Sequence, residues 1–196
     1  DSARANADRF IRLHPNHPNV DYAYYLKALA AYRYQEGILD RLFSSDPASR
    51  DMAPLRESYS ELATLLNEFP DSQYAADARQ RMLRLRELLA RAEIFAADYY
   101  LRRGAFVAAA NRGSFIIENY PDTEARADGL AVMVEAYYKL GREAEANRSL
   151  RVLALNHPDY PEVDAAGNLV LDERIRNRDR SWTNIMTLGL IDRPDV

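Results

Sequence analysis

The side chains best suited to metal or proton chemistry in this 196-residue chain are its three histidines, and all three sit beside prolines: His14 and His17 around Pro15 and Pro18, His157 before Pro158. His14 and His17 are close enough in sequence to touch one metal ion, but spacing supplies no third ligand, so they read as turn residues between helices. The chain has no Cys, which removes disulfides, thiolate metal sites and a cysteine nucleophile while leaving the compartment open. There is no GxSxG elbow, no HExxH pair and no glycine-rich phosphate loop. Carboxylates are plentiful, yet none stands alone in an apolar stretch that would raise its pKa. The expectation is a protein that is not an enzyme, with no cofactor and no bound metal.

The other chemistry-bearing group is a set of arginines: Arg79, Arg81, Arg84, Arg86 and Arg91, then Arg102 and Arg103. A net charge of -4 argues against a general nucleic-acid binder, which needs a basic excess to neutralise phosphates. The simple reading is a solvated helix face partly paired with Glu87 and Glu93. The alternative is an Arg-lined protein-binding face, because guanidinium groups pair with carboxylates in two-point geometry.

A composition of 30 Ala and 23 Leu against seven Gly predicts an all-α protein as the carrier of these residues. No apolar run approaches the roughly 18 to 20 residues of a membrane span. Four prolines, Pro15, Pro70, Pro121 and Pro158, set an internal register. Twelve, eight and five residues upstream of them lie Ala3, Ala7 and Phe10; Ser58, Leu62 and Leu65; Ala109, Gly113 and Ile116; Ala146, Leu150 and Leu153. Steps of four and three hold one helix face, and the proline ends each helix by removing an amide donor and clashing with the preceding turn. Asp71 with Ser72, and Asp122 with Thr123, are placed to accept from the free N–H groups of the next helix.

Paired tyrosines mark the partner helices, Tyr24 and Tyr25, Tyr99 and Tyr100, Tyr137 and Tyr138, with Gly104 and Gly141 shortly after the last two pairs. Glycine there can take the left-handed cap conformation. Small residues on one helix and large aromatics on the next suit antiparallel packing, so the pattern predicts an α-solenoid of tetratricopeptide-type helix pairs. One long helix is expected over about 72–103. Its inward face is read as Ala75, Ala78, Met82, Leu85, Leu89, Ala92, Ala96 and Tyr99. The stretch between Glu36 and Met52 reads as an exposed loop. The organisation expected is a solenoid over residues 1–156 and a polar C-terminal extension over 157–196, with the chain's one Trp, Trp182, in an apolar end segment.

Longer ordered stretches resemble a known family. DRFIRLHPNHPN from Asp8 to Asn19, FPDSQYAADARQRMLRLRELLARAE from Phe69 to Glu93, AADYYLRRGAFVAAANR from Ala96 to Arg112, YPDT at Tyr120 to Thr123 and AYYKLG at Ala136 to Gly141 are similar to the outer-membrane assembly lipoproteins of the BamD, or ComL, family. The resemblance covers about residues 1–156. It implies a periplasmic lipoprotein of five tetratricopeptide repeats, held at the outer membrane by a lipid on an N-terminal Cys. Asp1 to Asn6 show neither an initiator Met nor an apolar signal core, so an N-terminally trimmed fragment without anchor or first repeat is the expectation.

The resemblance further implies a scaffold whose C-terminal repeats dock on the POTRA domain of BamA, the barrel subunit of the machine that inserts outer-membrane β-barrels. Accessory lipoproteins are further implied partners, and unfolded outer-membrane proteins are implied substrates of the full-length protein. An Arg of an Asn-Arg pair makes the BamA contact in the family, and the matching positions are Asn111 and Arg112. From the residues alone, Arg112 flanks the inward face Ala109, Gly113 and Ile116, where either a partner contact or a local salt bridge fits. The alternative function is a different tetratricopeptide adaptor that captures short peptides in its concave groove.

Overall fold

A computed structural model describes residues 2–33 and 52–160. The expected loop, up to Asp51, and the expected extension from residue 161 onward lie outside the described residues. Every described element is helical: α1 (Ser2–Leu13), α2 (Val20–Arg33), α3 (Ala53–Glu68), α4 (Ala75–Arg102), α5 (Phe106–Asn119), α6 (Ala125–Lys139) and α7 (Glu143–Asn156). Two compact units are present, Asp1–Ala92 and Glu93–Val196. In the first, α1 packs on α2 and α2 on α3; in the second, α5 packs on α6 and α6 on α7.

The prolines end helices by one shared geometry. The residue before each is Phe69 (φ -134°, ψ 64°), Tyr120 (φ -129°, ψ 48°) or His157 (φ -136°, ψ 64°). All three have left the helical region, as the following proline ring requires. Each still donates its N–H to the carbonyl four residues back, Leu65, Ile116 or Leu153, at 2.8 Å. Two successive three-residue turns then lead into the next helix: Ser72 N–H to Phe69 and Ala75 N–H to Ser72, matched by Thr123 to Tyr120 and Arg126 to Thr123. The turn His14–His17–Val20 after α1 repeats this pattern.

The glycine turns are also alike. Gly104 and Gly141 have φ of 70° and 71°. After each, an N–H closes back onto a tyrosine carbonyl, Ala105 to Tyr100 and Arg142 to Tyr137, both at 2.9 Å, which is the Schellman closure of a helix end. Of the expected caps, Ser72 does accept through Oγ, from the Tyr74 N–H at 3.2 Å. Thr123 does the reverse: its Oγ1 donates to the Tyr120 carbonyl at 2.8 Å.

The inward faces follow the proline register except on α1, where Phe10 is only half-buried and Ala3 is exposed. Ser58, Leu62, Leu65, Ala109, Gly113, Ile116, Ala146, Leu150 and Leu153 are all buried, and so is Ala7. Ala3 is exposed, and its neighbour Arg4 instead reaches Glu57 on α3. In the long helix the buried set is Ala75, Ala78, Leu85, Leu89, Ala90, Glu93, Ala97 and Leu101. Of the expected face, Ala75, Ala78, Leu85 and Leu89 are buried and Met82 is half-buried; beyond Leu89 it fails, with Ala92 and Ala96 only half-buried and Tyr99 47% exposed. Strictly alternating steps of three and four repeat every 3.5 residues, whereas a straight helix turns every 3.6, so such a stripe slips sideways by about 20° per heptad. Contact accordingly passes from Ala92 and Ala96 to Glu93 and Ala97, one position on.

One tyrosine of each later pair fills the core. Tyr100 and Tyr137 pack against Ala97, Leu101, Ala109, Ala110, Val132 and Ala136, while Tyr99 and Tyr138 stay exposed. In the first unit both members pack: Tyr24 lies 5.5 Å from the Phe69 ring and Tyr25 stacks at 4.8 Å on Tyr74. Helices α5 and α6 meet through backbone. A Cβ on Gly113 would fall 2.6 Å from the Gly129 carbonyl oxygen and 2.7 Å from Met133 Cγ, so only hydrogen fits at that crossing.

Candidate functional site

Arg112 and Asn111 are carried on α5 beside that close crossing. Ala109, Ala110, Gly113 and Ile116 face inward, so residues 111 and 112 emerge at the edge of the buried stripe. Asn111 is exposed and Arg112 is half-exposed. The Arg112 guanidinium points to α4, where Nη1 donates to Glu93 Oε2 at 2.5 Å. Its Cζ lies 5.9 Å from the centre of the Tyr100 ring, a cation–π distance. The pair is unequal: 41% of the Arg112 side chain is exposed against 5% for Glu93. The hydrogen bond that Arg112 donates to Glu93 raises the Arg112 pKa, against the lowering effect of burial, so the side chain is a fixed cation at any relevant pH.

The partner is the surprise. Glu93 belongs by sequence to the arginine-rich helix, where neighbours on its own helix are the natural expectation, but it pairs with Arg112 on the next helix. Its position is decodable afterwards: four residues after Leu89 and four before Ala97, both buried, it falls on the inner stripe of a 3.6-residue helix. A carboxylate there requires a cation within reach, because an unpaired buried charge costs several kcal/mol, on the order of 3–5.

In the first unit the arginines of α4 divide. Arg81 Nε donates to Asp77 Oδ2 at 2.5 Å, and Tyr25 donates its hydroxyl to the same oxygen at 2.5 Å. The Tyr25 hydroxyl, then Arg81, hold the Asp77 carboxyl below its usual range. Burial, then the Asp77 carboxylate, push the Tyr25 phenol up. Asp77, Gln80, Arg81 and Arg84 line a cleft of about 310 Å³ together with Leu29, Ser58 and Leu85. Arg79 and Arg91 are exposed.

The histidines take no part in a shared centre. His14 and His17 flank the Phe10 ring at 5.4 and 5.2 Å, and His17 Nδ1 accepts from the Asn19 N–H at 3.1 Å. Among the described residues no group of three or more His, Asp or Glu is arranged to hold a metal ion. No described helix is long and apolar enough to cross a membrane.

A family model described as YfiO, outer membrane lipoprotein, matches residues 1–153. The chain belongs to that family. Among its relatives, the outer membrane protein assembly factor BamD of Neisseria meningitidis serogroup A is 44% identical over 161 residues, covering 82% of this chain and 60% of the relative. The BamD of Xylella fastidiosa strain 9a5c is 40% identical over 161 residues, covering 82% and 55%. That of Vibrio cholerae is 36% identical over 152 residues, covering 78% and 63%. The chain thus spans between 55% and 63% of the length of these BamD relatives. The Glu93–Arg112 pair falls within the part of the chain that the YfiO model matches.

Proposed function

We propose that this chain acts in outer-membrane protein assembly, as a non-enzymatic scaffold at the periplasmic face of the outer membrane. Its second unit docks on the periplasmic POTRA region of BamA, with Arg112 and Asn111 in the contact; a lipid anchor holds the full-length protein to the membrane. Accessory lipoproteins are further partners, and unfolded outer-membrane proteins are substrates of the full-length protein. The family membership supports the assembly role.

The observation that carries the docking site is the state of Arg112: a permanent cation, held by its neighbours yet 41% exposed, with Asn111 open beside it. Arg has five N–H donors in a planar fork, so one bond to Glu93 leaves donors for a second carboxylate. The test is binding of the chain to the isolated POTRA region, unmodified and as Arg112→Glu. The charge reversal is expected to weaken binding at least about tenfold, about 1.4 kcal/mol. No binding by either protein would sink the reading, and equal binding by both would remove Arg112 from the contact.

The cleft beside α4 favours a second reading, an adaptor that takes short peptides. Gln80, Arg81 and Arg84 put donors along its wall, and Leu29 and Leu85 supply apolar surface. Under that reading Arg84→Glu abolishes peptide capture and Arg112→Glu leaves it intact.

A further inference from the structure

We propose that Glu93 is the positioning residue for Arg112: a buried carboxylate on α4 that holds the guanidinium of α5 in one orientation and so presents its remaining donors to a carboxylate of the partner. The inference rests on the docking reading above and deepens it.

Three observations combine. Glu93 is 4% exposed and lies on the inner stripe of α4 with Leu89, Ala97 and Leu101; in such surroundings a carboxylate persists as a charge only when paired and hydrogen-bonded. Its hydrogen-bonded partner Arg112 is not a core residue, since 41% of that side chain faces out. The guanidinium also rests at 5.9 Å over Tyr100, a ring that packs in the core cluster with Ala97, Leu101 and Ala109. A long flexible side chain is therefore tethered at its charged end from two sides, by a buried carboxylate and a partly buried ring.

An untethered surface arginine loses rotamer freedom when a partner fixes it. Arg112 has lost much of that freedom before any partner arrives, so docking a carboxylate on its open edge costs less. The backbone beneath is equally constrained, because Gly113 sits against Gly129 where no side chain fits. Helix, carboxylate and ring together make a rigid mount for one exposed cation. The pair buries the carboxylate and leaves 41% of the Arg112 side chain open.

The test uses the 196-residue chain as Glu93→Ala, Glu93→Gln, Arg112→Ala and the Glu93→Ala/Arg112→Ala double variant. Two readouts are taken: affinity for the isolated cognate POTRA region, and NMR order parameters of the Arg112 Nε–H in the free chain. Glu93→Gln keeps an acceptor but loses the charge, and is expected to weaken binding about threefold with a modest fall in Arg112 order. Glu93→Ala is expected to lower that order strongly and weaken binding about tenfold. In the Arg112→Ala background the Glu93 substitution should cost no further affinity.

Unchanged order and affinity in Glu93→Ala would overturn the proposal. So would additive losses in the double variant, which would mean that Glu93 acts through the fold. If Glu93→Ala does not fold, Glu93→Gln carries the test by itself, and unchanged Arg112 order and affinity in that variant overturn it. Absence of binding by the unmodified chain would overturn the docking reading instead, while the order parameters still decide whether Glu93 holds Arg112.

Discussion

The two units solve the same packing problem with different materials. Helices α1, α2 and α3 of the first are tied by a charged cluster: Arg4 bonds Glu57, and Lys27 Nζ lies 2.8 Å from both Asp8 and Glu61. Asp21 accepts from Ser72 at 2.6 Å and the Ser58 hydroxyl donates to the Ala28 carbonyl at 2.9 Å, so polar groups bridge this unit repeatedly. In the second unit, α5 and α6 approach through glycine and alanine until backbone meets backbone. The position eight residues before the proline shows the difference helix by helix: Leu62 occupies it on α3 and Gly113 on α5, with Ala7 on α1 and Leu150 on α7. A large side chain fills a gap in one place; in the other there is no gap. The close crossing is also where Arg112 stands, so the rigid region carries the exposed cation.

The largest effect expected from breaking this contrast is Leu62→Ala. Leu62 is 1% exposed, and removing it should destabilise the first unit by about 2–5 kcal/mol through lost burial and an unfilled cavity. Hydrogen exchange should show the lost protection in α2 and α3 and leave α6 and α7 close to unchanged.

Gly113→Ala should act in the opposite sense, by overfilling. The new Cβ meets a carbonyl oxygen at 2.6 Å, which only separation of the helices can relieve, so a loss of about 1–3 kcal/mol is expected despite the better helix propensity of Ala. Thermal unfolding with exchange localised to α5 and α6 would check it; a stabilised variant would show that the crossing has room for a methyl group.

Lys27→Met should cost the first unit about 1–2 kcal/mol, since it removes the cation shared by Asp8 and Glu61 and leaves Glu61 only the longer 3.9 Å pairing with Arg4. Replacing the three together, Asp8→Asn, Lys27→Met and Glu61→Gln, should recover part of that loss in urea unfolding.

The smallest effect is on pH dependence, which should be concentrated in the first unit. Asp77 is held below the ordinary aspartate value near 3.8, first by Tyr25 and then by Arg81. Its contribution is therefore complete above that pH and is lost as pH falls through the lower folded value. Burial lowers the Lys27 pKa, but the bonds that Lys27 donates to Asp8 and Glu61 outweigh it and leave the pKa above the ordinary 10.5. That contribution is complete below 10.5 and is lost as pH rises through the folded value. Protection of α2 and α3 amides should thus weaken at both extremes, and Asp77→Asn should flatten the acid limb, with a smaller change on the alkaline side through Tyr25, whose phenol the Asp77 carboxylate helps to hold up.

Local features were legible in the residues because they depend on local sterics. Pro70, Pro121 and Pro158 forbid helical backbone just before themselves, and Gly104 and Gly141 take positive φ, so turn positions could be placed without tertiary knowledge. The inward triads from Ser58 to Leu153 were equally readable, since helix period fixes which residues share a face. Glu93 was not: its partner comes from another helix, and a stripe read at 3.5 residues had already slipped off it. The docking residues Asn111 and Arg112 came from resemblance, not from spacing.

By itself, then, the sequence determined where helices stop, which faces are apolar and which family the chain belongs to. These are properties of short windows and of ordered identity along the chain. Which tyrosine of a pair enters the core, that Gly113 rests on Gly129, and that Arg112 is held by a buried carboxylate 19 residues away were decided only by tertiary structure. The physical reason is that burial, pairing of charge and close approach depend on what a neighbouring helix presents, and that distance is not written in any one of them.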